Sequence, residues 1–243
     1  MTLDLAIGEY VRQLRRAGTR PGERLVKHIL AGGEAATGPL IALAADTRLL
    51  FEEPPVAYAP LHALRLLGEL SSPRMIEPLL DRLPINDDAE SDTVDLWVQD
   101  VPQILARLGS DGVSALWAYA DDPQRHPIGR ATALLALAFA TAIDEHLREP
   151  IVAGLRERLA RSDDRELNAH LVRALGLLCA GDAYGEIMAR YRAGDVDQEI
   201  VSAATARQLL LGKEHSVLAC ARHPLWERYD EHGPSDNDTD KEW

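Results

Sequence analysis

HALRLLGELSSPRMIEPLLDRL, running from His62 to Leu83, is the stretch that decides the fold class. It reads as the end of one helix, a small-residue turn at Ser71-Ser72-Pro73, and a second amphipathic helix. The pattern recurs along the chain. A slide of 39 residues sets Leu25 against Leu64 and Gly38-Pro39-Leu40-Ile41 against Glu77-Pro78-Leu79-Leu80. A slide of 72 brings Glu149-Pro150-Ile151-Val152 onto the same four. Leu105-x-x-Leu108-Gly109 repeats Leu64-x-x-Leu67-Gly68 at a spacing of 41, and Leu175-x-x-Leu178-Cys179 repeats it again. Periods of roughly 35–47 residues with two helices each are the mark of an α-solenoid.

Composition agrees. Of 243 residues, 35 are Ala and 37 are Leu, while aromatic residues make up only 5%. Strand-favouring residues are sparse, so an all-α chain with a sizeable core is expected. The formal net charge of −13 opposes any function that needs a broad cationic face, and nucleic acid is not an expected partner. Arg12-Arg15-Arg16, Arg156-Arg158-Arg161 and Arg190-Arg192 do cluster, but acids interleave with the last two groups. Residues from Glu227 onward supply −5 of that charge, leaving about −8 on the body. The richest apolar run, Ala131 to Ile143, is shorter than the roughly 20 residues of a membrane span. MTLDLAIGEYVRQ at the start lacks the form of a signal peptide, so Cys179 and Cys220 read as thiols and the expected compartment is the cytoplasm. Arginine outnumbers lysine 23 to 3, which with the alanine excess suggests a GC-rich bacterial genome.

Breakers at Thr19-Arg20-Pro21-Gly22, Gly32-Gly33, Pro54-Pro55 and Asp121-Asp122-Pro123 divide the rest. The expected units are an opening helix over about Leu3 to Ala17 and pairs near 22–46, 56–84, 93–121, 127–160 and 163–193. A helix near Val196 to Leu211 and a closing segment from Ser216 to Tyr229 follow. One solenoid domain is therefore expected over 1–229, with an acidic, disordered tail over 230–243. Pro102 should start or kink the first helix of the third pair. Arg12, Gln13, Arg15 and Arg16 give the opening helix the polar outer face of a cap.

The segment ALRLLGELSSPRMIEPLLDRL, ending at Leu83, resembles the HEAT-like repeats, and among them the short variety of the phycobilin lyases. The likeness lies in Ala-Leu, a glycine near the helix end, a turn proline and Glu-Pro-Leu-Leu in the second helix. It covers Leu25 to about Gly212, with Cys179 standing in one repeat where the helix-end glycine belongs. The resemblance implies a right-handed superhelix of about five antiparallel pairs plus capping helices. It also implies a possible tetrapyrrole-attaching enzyme or chaperone.

Few residues suggest chemistry. His215, Cys220 and His223, with Cys179 as a possible neighbour, are donors suited to Zn²⁺, or else thiols beside exposed imidazoles. Pro84 to Asp95 holds five acids between Asp87 and Asp95, read as a solvated loop that lacks the EF-hand order. His62, Arg65 and Glu69 share helical spacing and read as the solvent face of a Leu-rich helix. Trp117 falls on an apolar face and reads as core, Trp97 and Tyr119 as partly exposed, and Trp226 as cover for the last core layer. No nucleophile elbow, HExxH or phosphate loop occurs. No catalytic residue, metal ligand or cofactor is assigned.

The expected function is thus a non-catalytic module that binds a protein or peptide on a concave face lined by second helices. Arg74, Glu77, Asp81, Arg156, Glu186 and Arg190 are the expected contact residues. Two alternatives are kept: the phycobilin-lyase-like enzyme or chaperone, and an acidic inhibitor of a basic target such as a nuclease toxin.

Overall fold

The computed structural model describes residues 3–84, 91–213 and 216–234, and every regular element among them is helical. In order these are α1 (Leu3–Gln13), α2 (Glu23–Leu30), α3 (Glu34–Ala44), α4 (Ala59–Leu70), α5 (Ile76–Leu80) and α6 (Asp92–Ala106). They continue as α7 (Ser110–Asp121), α8 (Pro127–Ile143), α9 (Arg148–Arg161), α10 (Arg165–Leu177), α11 (Tyr184–Ala193), α12 (Ala203–Leu211) and α13 (Leu225–His232). First helices of successive pairs begin at residues 23, 59, 92, 127 and 165, and α12 follows at 203, a spacing of 33–38 residues that brackets half of the 72-residue slide and falls short of the slides of 39 and 41. The fold is all-α and built from repeated helix pairs. Pro102 lies inside a continuous α6 rather than starting it.

The turns show why the repeats keep this spacing. α5, α9 and α11 are each entered through one 3₁₀ turn, at Pro73–Met75, Glu145–Leu147 and Gly181–Ala183. Pro78 and Pro150 therefore occupy the first helical turn, where a missing N–H costs nothing. α3 and α7 are entered instead through Gly33 (φ 51°, ψ −126°) and Gly109 (φ 55°, ψ −137°), a conformation open to glycine and strained for other residues. Cys179 ends α10 in the left-handed region at φ 49°, with the Ala180 N–H donating to the Leu175 carbonyl at 3.0 Å. Of the two glycines it aligns with, Gly109 also has a positive φ, whereas Gly68 lies within α4 and Ser71 takes the left-handed position there. Side-chain caps do the same work at helix starts: Asp164 accepts from the N–H groups of Glu166 and Leu167 at 3.1 Å each.

The chain divides into two compact units. One comprises Met1–Leu105 with His223–Trp243, the other Ala106–Arg222. In the first unit α3 packs between α1 and α4, and α4 is its centre: every residue from Ala59 to Gly68 is buried. Trp97 of α6 is also fully buried, its indole N–H donating to the Ala44 carbonyl of α3 at 3.1 Å, contrary to the partly exposed reading. Tyr119, in the second unit, is buried too.

α13 is the element the sequence misplaces. Instead of covering a last repeat, it packs on α4 and completes the first unit. Asp230 to His232 are helical, and the Gly233 carbonyl accepts from Arg65, so the tail does not begin at 230; residues 235–243 lie outside the described ones. The contact is polar and buried. Arg65 of α4 donates from Nε to Asp100 Oδ2 of α6 at 2.6 Å, and Arg228 of α13 donates from Nη1 to Gln103 Oε1 at 2.9 Å. Arg228 lies 3.8 Å from the other oxygen of Asp100, and the Arg65 guanidinium stacks 4.6 Å from the Tyr229 ring centre. Two guanidinium groups thus share one buried carboxylate.

In the second unit α10 packs against α8 on one side and α12 on the other. Between the second helices, Arg158 of α9 lies 3.7 Å from the ring centre of Trp117 and pairs with Asp121 at 2.6 and 2.5 Å. A Cβ at Gly154 would come within 3.0 Å of that indole, so glycine is what lets α9 approach α7. Trp117 is therefore half-buried at a helix–helix seam, not in the core.

Removing Asp100's charge leaves two guanidinium groups buried without their carboxylate. Asp100→Asn is expected to lower stability by about 3–5 kcal/mol. Glu34→Gln, which breaks the exposed pair with Arg74, should cost about 1 kcal/mol or less. Urea unfolding of the three proteins checks the contrast.

Candidate functional site

A groove on the second unit combines exposed apolar surface with a free cation. Ile128, Ala131, Thr132 and Leu135 of α8 line one side, at the spacing of a single helical stripe. His170, Arg173 and Ala174 of α10 line the other, and the space between measures about 160 Å³. Ile128 is 41% exposed, which is unusual for a large aliphatic side chain of this protein. The Thr132 hydroxyl is turned inward, donating to the Ile128 carbonyl at 2.9 Å. Arg173 is exposed and makes no ion pair or hydrogen bond among the described residues. Burial lowers the pKa of His170, and the neighbouring Arg173 charge lowers it further. The Asp164 carboxylate opposes both effects without reversing them, and Arg173 is the charged side chain among those lining the groove. Such a site can hold an aliphatic side chain and, next to it, a carboxylate.

The expected contact residues fall into two separate sets. Arg74, Glu77 and Asp81 belong to the first unit, on and around α5, and are exposed. Arg156 and Glu186 belong to the second and pair with each other across α9 and α11, with Nε to Oε2 at 3.2 Å. Arg190 does something sequence did not suggest. Its Nη2 donates to the carbonyls of Leu159 and Ala160 at 2.6 and 2.8 Å, and its Nη1 to Ser162 at 3.2 Å. It therefore closes the C-terminus of α9, where unpaired carbonyls and the helix dipole favour a cation.

The stripe of His62, Arg65 and Glu69 is split. Glu69 is exposed, but His62 and Arg65 are fully buried, because α4 is covered on all sides. His62 Nε2 lies 2.9 Å from the Gly18 carbonyl, which can only accept, so Nε2 carries the proton. Nδ1 then accepts from the Tyr229 hydroxyl at 2.9 Å. Burial holds the imidazole neutral, its pKa pushed down from 6.5 to about 4, and burial also raises that of the Tyr229 phenol. With both polar atoms satisfied inside the core, this pair fixes α13 to α4.

Other candidates resolve as follows. His215 lies outside the described residues, and the Cys179 thiol donates to the Lys213 carbonyl at 3.2 Å. Asp92 and Asp95 sit in the first turn of α6, next to its positive end, rather than in a loop; Asp87, Asp88 and Glu90 lie outside the described residues. Trp226 stacks beneath Arg20, with 4.7 Å between guanidinium carbon and ring centre, inside the first unit. His223, Glu227 and Glu231 are brought together on and beside α13. No helix among the described residues is long and apolar enough to cross a membrane.

No protein-family model matches the chain, and no curated protein matches it.

His62 gives a pH dependence with a definite sign. Unfolded, its imidazole takes a proton near pH 6.5; folded, it resists until about pH 4. The stability it allows is present above 6.5 and is lost as pH falls between those values, by about 3 kcal/mol in all. Urea titrations from pH 7 to 4 should show this loss, and His62→Gln should show a correspondingly shallower decline.

Proposed function

We propose that this chain is a non-catalytic interaction module, a HEAT-like α-solenoid that holds a protein or peptide partner. The observation that carries the reading is the groove between α8 and α10, an apolar stripe ending at the uncommitted Arg173. Its chemistry fits an aliphatic side chain followed by an acidic group on a partner segment. Its size supports the same choice: about 160 Å³ is below the roughly 300–1,000 Å³ of pockets that enclose whole small molecules. A tetrapyrrole is therefore the poorer match. The groove lies on first helices, so it moves the expected contact surface away from the second helices. Arg74, Glu77, Asp81, Arg156 and Glu186 do not line this groove, and Arg190 serves α9 itself. Two free cysteines accord with a reducing compartment such as the cytoplasm.

Selection of displayed random peptides against the full chain tests this reading. Enriched sequences should carry Leu, Ile or Phe beside Asp, Glu or a free carboxyl terminus. Arg173→Ala should weaken a selected peptide about tenfold, the equivalent of 1.4 kcal/mol, and raised salt should weaken it further. Leu135→Asp should abolish binding, and Arg74→Ala should leave it unchanged. No enrichment, or binding indifferent to Arg173 and Leu135, overturns the assignment.

A further inference from the structure

We propose that α13 carries a divalent-metal site formed by His223, Glu227 and Glu231, with His232 beside it, and that Zn²⁺ is the ion it fits. The three residues recur every fourth position. His223 stands just before Pro224, whose extended backbone (φ −63°, ψ 162°) precedes the helix, and Glu227 and Glu231 follow on one face of the helix. One donor atom from each lies within 4.8 Å of the others. His223 Nδ1 is 3.1 Å from Glu231 Oε2, and His223 Nε2 is 3.9 Å from Glu227 Oε1. His232 Nε2 is 3.8 Å from the same Glu231 oxygen, and the two imidazole rings stack with centres 5.6 Å apart and planes at 11°.

The two short pairs use opposite nitrogens of the His223 ring, so one ion can take only one of them, and the shared site rests on one atom from each residue lying within 4.8 Å of the others. With Zn–N and Zn–O bonds near 2.0–2.2 Å, neighbouring donors sit about 3.3 Å apart. From the 4.8 Å limit, the set must draw in by about 1.5 Å or less to hold the ion. The donor types point the same way: imidazole nitrogen with carboxylate oxygen favours Zn²⁺, whereas Ca²⁺ and Mg²⁺ favour all-oxygen sets. Glu227 and Glu231 are about half exposed, at 45% and 47%, so an ion has a path in and room to keep a water. His232 Nε2 is shielded from solvent and has no hydrogen-bond partner, leaving a donor atom aimed at the cluster. An unfilled cluster would be a set of surface His–Glu pairs worth little to stability.

The site has a consequence for the fold. The same helix turns Arg228 and Tyr229 into the first unit, where they meet Asp100, Gln103 and His62. An ion bridging His223 to Glu231 spans nearly the whole of α13 and would stiffen the helix that bears both anchors.

Titration of Co²⁺ and Zn²⁺ into the chelator-treated full chain tests the site. One equivalent of Co²⁺ should give the intense visible bands of a tetrahedral ion, be displaced by Zn²⁺, and raise the thermal midpoint. Glu227→Gln and Glu231→Gln, both at exposed positions and expected to fold, should each weaken Co²⁺ binding by about tenfold or more. His223→Ala should abolish the bands, while His126→Ala and His146→Ala leave them unchanged. Absence of the bands overturns the proposal, as does stoichiometric binding that survives both glutamate substitutions.

Discussion

Two buried guanidinium groups facing one buried carboxylate are the constraint on which the first unit depends. Arg65, Asp100 and Arg228 come from three helices, and each would be costly to bury alone. Only the assembled arrangement pairs them. Gln103, the Tyr229 ring and the Gly233 carbonyl complete the shell, and one Arg65 nitrogen, Nη2, still lacks a hydrogen-bond partner among the described residues. Apolar side chains of similar size could serve stability as well. What the charges add is selectivity of docking. A helix must present Arg and Tyr at adjacent positions to satisfy both Asp100 and His62, and α13 does so. A segment more than a hundred residues downstream thereby belongs to the N-terminal unit.

The repeat was legible because it rests on local signals. Leucine spacing, turn prolines and helix-end glycines act within one pair, and they place α2 through α11 within a few residues. Cys179 could be aligned with glycine from sequence, and its positive φ agrees with Gly109 but not with Gly68, which lies within α4. The burial of His62 and Arg65 was not legible. A polar stripe on an amphipathic helix ordinarily marks the solvent side. α4 has no such side over Ala59 to Gly68, and the partners that make burial tolerable lie 35 to 168 residues away. α13 was misassigned for the same reason: its polar residues are core residues only in the presence of Asp100 and His62. The groove was not legible because Ala131 to Ile143 is apolar but for Thr132 and Thr141, so little in that run distinguishes an outward leucine from an inward one.

The two units offer different chemistry. The second lines its groove with carbon and the Arg173 cation, a combination suited to a peptide segment, while Arg158, Arg156 and Arg190 are engaged with Asp121, Glu186 or backbone carbonyls. The first presents imidazole and carboxylate on the helix that closes its core. The groove and the charge cluster are thus built from separate residues, and changes at Arg173 or Leu135 leave the cluster untouched.

Native-state hydrogen exchange tests the central claim most directly, namely that α13 is an integral part of the first unit. The amides of Tyr229 to His232 should exchange with the same opening free energy as those in the middle of α4, since the two helices share buried partners. Rapid exchange of α13 while α4 stays protected would contradict it, and would make the C-terminal helix an appendage rather than the element that completes the core.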